Sequence, residues 1–327
     1  MGYPVRGSAV DDHRHAHIVG FYRDDEDLID AVGGFFAAGL TQGDAVVAIG
    51  SSSHRVGVED WLDAAGLGLG DIEPGRYVTI DGETMLRTLM RDHRPDADAF
   101  RSTLSGVIAE AGQDGRRKVR VFGEMVAMLW ERGDVAAAIE LETLWNQLAD
   151  HHDFALFCGY PLAAVEASTA LGAVKRICDL HDSVRPLDRA ASRDGPGDDL
   201  GANTVSRIFV PSPAVLAAVR GFVARTLRRW SRPHQIADAQ VVVVELATNA
   251  IRHAASPFLL RLLRTETGLR VEVRDLGAAL PERLPPDPSR IGGRGMMIVE
   301  ALSARWGTAP EEDGKTTWAE LREAASR

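Results

Sequence analysis

The sequence comprises 327 residues, of which 45% are hydrophobic and 26% charged, an ordinary composition for a globular protein. Its length favours two domains over a single core. The formal net charge of −10 excludes a broad basic face for nucleic acid, and no apolar run reaches the roughly 20 residues of a membrane span. The two cysteines, Cys158 and Cys178, imply no disulfide framework. Since residues 1–17 also lack an apolar signal-peptide core, we expect a cytoplasmic protein.

Three alternating histidines stand near the N-terminus, at His13, His15 and His17. Alternating histidines can chelate a metal, but no cysteine or second cluster completes a site in this pattern. Chain termini are commonly frayed. The sequence therefore favours a frayed terminus over a metal site.

From residue 18 to about residue 160, short apolar runs alternate with segments of helical period, which predicts an α/β domain with a mostly parallel sheet covered on both faces. The predicted strands are Ile18–Tyr22, Ala45–Ile49, Tyr77–Ile80, Val119–Phe122 and Phe154–Cys158. The predicted helices are Asp27–Gly39, Val56–Ala65, Thr84–Met90, Phe100–Ala111 and Val135–His151.

Two positions in this domain could carry chemistry. The loop after the second strand, Gly50–Glu59, lacks the Gly-Lys-Ser/Thr ending of a phosphate-binding loop, so a plain connection is preferred. Glu124 follows the strand Val119–Phe122, at the end of a sheet where α/β proteins keep functional groups. It could equally be a helix N-terminal glutamate favoured by the helix dipole.

Several of these segments together carry a family resemblance. The segments are His17–Tyr22, Phe122–Met125, Leu129–Asp134, Glu142–Leu148 and Phe154–Pro161. They resemble the methanogen/methylotroph sensory domain over residues 17–185. The resemblance implies a RecA-like α/β module without an intact phosphate loop. It also implies that this module senses a small-molecule or protein signal, whose identity the resemblance does not give.

A helical segment, Leu162–Val184, is predicted next, and it ends in a run from His181 to Pro186. That run resembles the phosphoacceptor box of sensor histidine kinases, which leaves His181 open as a phosphoacceptor. Residues 186–204 are rich in Gly, Asp, Ser and Arg and predict a flexible linker. No second dimerisation helix fits before the next domain.

The C-terminal domain, residues 205–323, has the pattern of a two-layer α/β sandwich. Ser212 is expected to cap the first helix, with Pro213 at its first position. The predicted elements are a strand at Ser206–Val210, helices at Ala214–Trp230 and Ile236–Ala255, and strands at Phe258–Thr265, Leu269–Arg274 and Thr316–Leu321.

Four polar or glycine-rich motifs follow one another along this domain. Glu245 and Asn249 stand four residues apart and so share one helix face. Asp275 and Gly277 end a strand, where an Asp can accept a hydrogen bond from an adenine amine and a Gly lets the base approach. Gly292–Gly295 opens a helix, a ready anion site. Gly314-Lys315-Thr316-Thr317 opens the last strand. The face of Glu245 and Asn249 could by itself be a solvated surface, but the four motifs in this order favour a nucleotide site.

This order resembles the Bergerat-type ATPase fold shared by gyrase, the heat-shock proteins of the ninety class, histidine kinases and mismatch-repair ATPases. The resemblance implies ATP and Mg²⁺ as cofactors. The implied nucleotide-binding residues are Asn249 as the Mg²⁺ ligand, Asp275, Gly277 and Thr316 at the adenine, and Gly293, Arg294 and Gly295 in the phosphate lid.

Within this superfamily, the amino-acid sequences of residues 245–254 and 293–321 resemble those of the anti-sigma-factor serine kinases of bacterial stress and sporulation control. The resemblance implies that Glu245 is the general base. It further implies a sigma factor and a STAS-type anti-sigma-factor antagonist as partners, and a homodimer is compatible with it. The family's proline close after the Gly277 position is missing here, Pro281 coming four residues later. Arg290 and Arg294 are both candidates to contact the γ-phosphate. A non-catalytic, ATP-gated binding module is the remaining alternative.

Overall fold

The computed structural model describes residues 16–68, 70, 72–167, 170–187, 203–212, 214–254, 256–265, 268–278 and 295–322. The chain divides into two compact units, and each is described here by itself. The first comprises Met1–Gly20, Leu28–Tyr160 and Leu180–Ser183, and the second Phe21–Asp27, Pro161–Asp179 and Val184–Arg327.

A six-stranded sheet forms the centre of the N-terminal domain, with strand order β3-β2-β6-β7-β1-β8. Strand β2 pairs in parallel with β3 and with β6, and β6 pairs in parallel with β7. All six residues of β2 are buried, as expected of an apolar strand with helices on both faces. The strands are β1 His17–Tyr22, β2 Ala45–Gly50, β3 Tyr77–Asp81, β6 Val119–Gly123, β7 Phe154–Pro161 and β8 Ser183–Leu187, and a small hairpin joins β4 Met90–Arg91 to β5 Arg94–Pro95.

Helices follow most of these strands. They are α1 Asp25–Gln42, α2 Ser52–Ala64, α3 Gly82–Leu89, α4 Ala97–Ala111, α5 Met125–Glu131, α6 Val135–Ala149, α7 Leu162–Ala167 and α8 Leu171–Asp179. Short polar side chains start several of them, as at Asp96, whose carboxylate accepts hydrogen bonds from the Asp98 and Ala99 amides before α4.

The C-terminal domain is built on a five-stranded sheet of order β12-β13-β11-β10-β9, whose neighbouring strands are all antiparallel. Its elements are β9 Thr204–Phe209, α9 Val215–Arg229, α10 Ile236–Ala254, β10 Phe258–Thr265, β11 Gly268–Asp275, α11 Gly295–Leu302, β12 Arg305–Glu311 and β13 Gly314–Arg322. Helices α9 and α10 pack their apolar faces against one face of the sheet, and the core contains Phe222, Val243, Leu246, Leu260 and Val271. The domain is the predicted two-layer sandwich.

The predicted strands and helices of both domains are confirmed, and the following expectations are wrong. The segment Leu162–Val184 is not one helix, because α8 ends at Asp179 and strand β8 starts at Ser183. The N-cap of α9 is Ala214 rather than Ser212. Strand β12 was not expected. Of the predicted linker, residues 188–202 lie outside the described residues. In the described part of the chain, no helix has the length and apolar character needed to cross a membrane.

Candidate nucleotide-binding site

Helix α10 presents two different faces, as its sequence predicts. Leu246, Ala247 and Ala250 are buried in the core. Glu245 and Asn249, four residues apart, are both half-buried at the edge of that core. His253, one turn further on, is exposed. The helix therefore places a carboxylate and a carboxamide next to each other at the margin of the hydrophobic layer.

The start of α11 lies against this pair. A Cβ atom added at Gly295 would overlap the Glu245 carboxylate, so only glycine fits there without displacing the glutamate. The Asn249 side-chain amide donates a hydrogen bond to the Met296 sulfur over 3.3 Å. The first residues of α11, where backbone amides lack helical partners, thus lie beside Glu245 and Asn249. Gly293 and Arg294, predicted for the lid, and Arg290 lie outside the described residues.

Asp275 ends strand β11 in a buried hydrogen-bonded cluster. Its Oδ1 accepts from the Gly277 amide and from the Lys315 ammonium, both over 2.8 Å, and Lys315 also donates to the Gly277 carbonyl over 3.0 Å. Asp275 is only 3% exposed and Lys315 5%. A carboxylate has about four acceptor positions, so these two donors leave capacity for an exocyclic amine. Lys315 was assigned no role from the sequence, although its place opposite Asp275 follows from the strand register.

The Asp275 cluster lies at the same end of the domain as Asn249. A Cβ at Gly277 would come within 3.2 Å of the Ala254 Cβ, in the last turn of α10. Asn249 precedes Ala254 by five residues, about 7.5 Å along the helix axis. The predicted magnesium-binding and adenine-binding residues therefore both lie near the C-terminal end of α10.

The two threonines of the last strand face opposite sides of the sheet. Thr317 is opposite Val273 and is buried, so it shares the helix-covered face with Asp275 and Lys315. Thr316 is opposite Arg274 on the other face, where its hydroxyl donates to Glu311 over 2.8 Å. Because side chains alternate along a strand, the threonine turned towards the Asp275 cluster is Thr317. The sequence pattern had pointed to its neighbour Thr316.

Two family comparisons match the chain. Residues 16–181 match the profile of the MEDS domain, the methanogen/methylotroph, DcmR sensory domain. The chain belongs to the MEDS family. Residues 209–320 match the histidine kinase-like ATPase domain, so the predicted fusion of a sensory domain with an ATPase-type domain is confirmed. A search of curated protein sequences found no match to the chain.

In the MEDS domain, the carboxylate of Glu124 lies at the connection between β2 and α2, where a nucleotide-binding α/β domain would have its phosphate-binding loop. Glu124 stands at the N-cap position of α5 without capping that helix. Its Oε2 instead accepts from the Ser51 amide over 2.7 Å, and its Oε1 lies 2.7 Å from Nδ1 of His54. A Cβ at Gly50 would also come within 2.7 Å of this carboxylate. A phosphate at this loop would meet an anion, which agrees with the prediction of a plain connection.

His181 of the MEDS domain lies in the interior. It follows α8 and precedes β8, and its side chain has 0% exposure. Its Nε2 is 3.5 Å from Oε2 of Glu142. A phosphoacceptor histidine must reach a bound nucleotide from a helix surface, so this placement argues against the histidine kinase alternative.

Proposed function

We propose that the MEDS domain responds to a signal and controls a Mg-ATP-dependent kinase domain. That domain phosphorylates Ser or Thr on a STAS-type anti-sigma-factor antagonist and also binds a sigma factor. The observation that carries the proposal is the meeting of three elements: Glu245 and Asn249 on α10, the Gly295 start of α11 against them, and the Asp275–Gly277 turn beside the end of α10.

The residues present fit a nucleotide. Gly295 and Gly277 each stand where a Cβ would collide with a neighbouring polar side chain. Because glycine has no Cβ, the backbone at these two positions can also approach a ligand closely. Asp275 would accept a hydrogen bond from the adenine amine, with Thr317 on the same face. Asn249 would hold Mg²⁺ through its carboxamide oxygen. ATP bound here supplies the transferable phosphoryl group.

Glu245 is the proposed general base. A carboxylate next to the phosphate-binding end of a helix can accept the proton of an attacking serine or threonine hydroxyl. No further acid is required on this chain, because Mg²⁺ and backbone amides stabilise the charge on the transferred group.

The test is transfer of label from γ-labelled ATP to a candidate antagonist by the full chain. We expect acid-stable label on Ser or Thr of the partner. Glu245→Gln should retain Mg-ADP binding and lose most of the transfer, while Asn249→Ala should lose Mg-dependent binding. Glu312→Gln, a change at an exposed glutamate, is the matched control and should behave as wild type. Acid-labile label on His181 of this protein itself would refute the serine-kinase proposal.

A non-catalytic module, in which ATP only switches partner affinity, is the second candidate. It is favoured by the position of Gly295, where an added Cβ would overlap the Glu245 carboxylate, because a helix start this close leaves less room beside the carboxylate for an incoming hydroxyl. The two candidates differ in the Glu245→Ala variant. Full ATP-dependent binding of the sigma factor or antagonist together with unchanged regulation would select the non-catalytic module.

A further inference from the structure

Four side chains able to ligate a metal converge inside the MEDS domain. They are His17 on β1, Glu142 on α6, Cys158 on β7 and His181 between α8 and β8. One ligand atom from each lies within 4.8 Å of the other three, and all four residues are buried. The four come from segments far apart in sequence, so the fold itself brings them together.

The spacing of the ligand atoms is that of a small coordination sphere. Nε2 of His17 is 3.1 Å from Oε2 of Glu142 and 3.4 Å from Sγ of Cys158. The same Glu142 oxygen is 3.4 Å from the Cys158 sulfur and 3.5 Å from Nε2 of His181. A tetrahedral ion with metal–ligand distances of about 2.0–2.3 Å separates its ligands by about 3.3–3.8 Å. These distances are close to the edges of such a tetrahedron.

A second layer of hydrogen bonds orients two of the ligands. Asn146 donates through Nδ2 to the Leu180 carbonyl over 2.9 Å, which directs its Oδ1 to Nδ1 of His17 at 2.8 Å. The His17 proton is then on Nδ1, and the lone pair of Nε2 faces the cluster. The Tyr160 hydroxyl donates to Oε1 of Glu142 over 2.8 Å, so that Oε2 is the oxygen facing the cluster. Outer partners of this kind are characteristic of metal ligands.

An ion-pair network without a metal is the alternative account of this cluster. Burial raises the pKa of Glu142, but the imidazoles of His181 and His17 outweigh it and lower that pKa to about 2. Charged histidines beside this carboxylate would account for three of the four residues. They do not account for the Cys158 thiol, a weak hydrogen-bonding group that contacts both His17 and Glu142.

We propose that His17, Glu142, Cys158 and His181 form a buried tetrahedral site for a borderline-soft divalent cation of the zinc class. Two imidazoles, one thiolate and one carboxylate are the donor types that Zn²⁺ takes in four-coordinate sites, whereas Mg²⁺ and Ca²⁺ take oxygen donors. The cation replaces the proton of the Cys158 thiol, and this proton is released to solvent. This site does not depend on the proposed kinase activity, because all four ligands belong to the MEDS domain.

Cobalt binding to the full chain, stripped with a chelator, tests the proposal. We expect one Co²⁺ per chain, the intense visible bands of a tetrahedral ion and a thiolate-to-cobalt charge-transfer band in the near ultraviolet, with Zn²⁺ displacing the cobalt. Cys158→Ser should abolish the charge-transfer band. Cys178→Ser is the matched control and should retain it. Asn146→Ala should weaken Co²⁺ binding by roughly 10–100-fold through the loss of His17 orientation.

Two controls separate cobalt binding at these four residues from binding at the N-terminal histidines and from a metal-free ion-pair network. The His13→Ala/His15→Ala double variant should bind Co²⁺ as wild type does, because those histidines are outside the proposed ligand set. If this variant lost the cobalt spectrum, the N-terminal histidines would be the ligands, and the proposal would be overturned. A folded wild-type chain that binds no Co²⁺ or Zn²⁺ would establish the ion-pair network instead. Zinc content measured on the purified chain by mass spectrometry distinguishes the metal site from the ion-pair network without any variant.

Discussion

Replacing Lys315 by methionine should destabilise the C-terminal sheet by about 3–5 kcal/mol, because it leaves the buried Asp275 carboxylate without its cationic partner. Both side chains are almost fully buried, and the Lys315 ammonium donates to Asp275 and to the Gly277 carbonyl. Methionine keeps most of the apolar stem of lysine. The loss is therefore electrostatic rather than one of packing.

Hydrogen exchange followed by mass spectrometry measures this effect within the two-domain chain. Peptides from β11 and β13 should exchange about 100- to 4,000-fold faster in the variant, since each 1.4 kcal/mol corresponds to about a factor of 10. Peptides from β2 and β6 of the MEDS domain provide the internal reference. The Lys315→Met/Asp275→Asn double variant should recover most of the protection, because it removes the unpaired charge. Exchange in β13 within threefold of wild type, or a double variant no better than the single one, would refute the reasoning.

Three further predictions address other parts of the chain. Gly295→Ala should weaken Mg-ATP binding by roughly 0.5–1.5 kcal/mol in calorimetry, because the new Cβ overlaps the end of the Glu245 side chain and forces it out of its present rotamer; Gly106→Ala, where an added Cβ meets nothing within 4 Å, should have no effect. Glu124→Gln should lower the free energy of unfolding of the MEDS domain by about 1.5–3 kcal/mol, because its hydrogen bonds lose their charged acceptor, and an unchanged unfolding transition would contradict this. Glu320 has a pKa lowered chiefly by the Arg305 hydrogen bond, so its contribution to stability is present above the ordinary carboxyl pKa and disappears as the pH falls through the lowered value. The difference in urea midpoint between wild type and Glu320→Gln should accordingly vanish in acid, and a difference that persists there would exclude an ionic origin.

The helices and strands that have a clear hydrophobic periodicity could be predicted from the sequence. The apolar run Ala45–Ile49 became a fully buried strand, and the four-residue spacing of Glu245 and Asn249 became a polar face on α10. Strand β12 was missed because its sequence, Arg305–Glu311, contains a glycine and a proline and lacks apolar alternation. It is an edge strand that depends on pairing with β13.

Contacts between distant segments could not be predicted in the same way. The run after His181 resembled a phosphoacceptor box, yet the histidine is buried against Glu142, a residue of α6. His17 was assigned to a frayed terminus and proves to be part of β1. Likewise, only the strand register distinguishes Thr317 from Thr316. In each case the deciding partner lies far away along the chain, where periodicity carries no information.

Glu124 also constrains how the MEDS domain can evolve. A lysine gained by mutation close to Ser51 or His54, at the start of α2, would face the Glu124 carboxylate, and its charge would be neutralised by that carboxylate before it could attract a nucleotide. Loss of Glu124 alone would remove the acceptor of the Ser51 amide and the carboxylate that lies 2.7 Å from Nδ1 of His54. Both changes must therefore occur together before the loop could hold a phosphate.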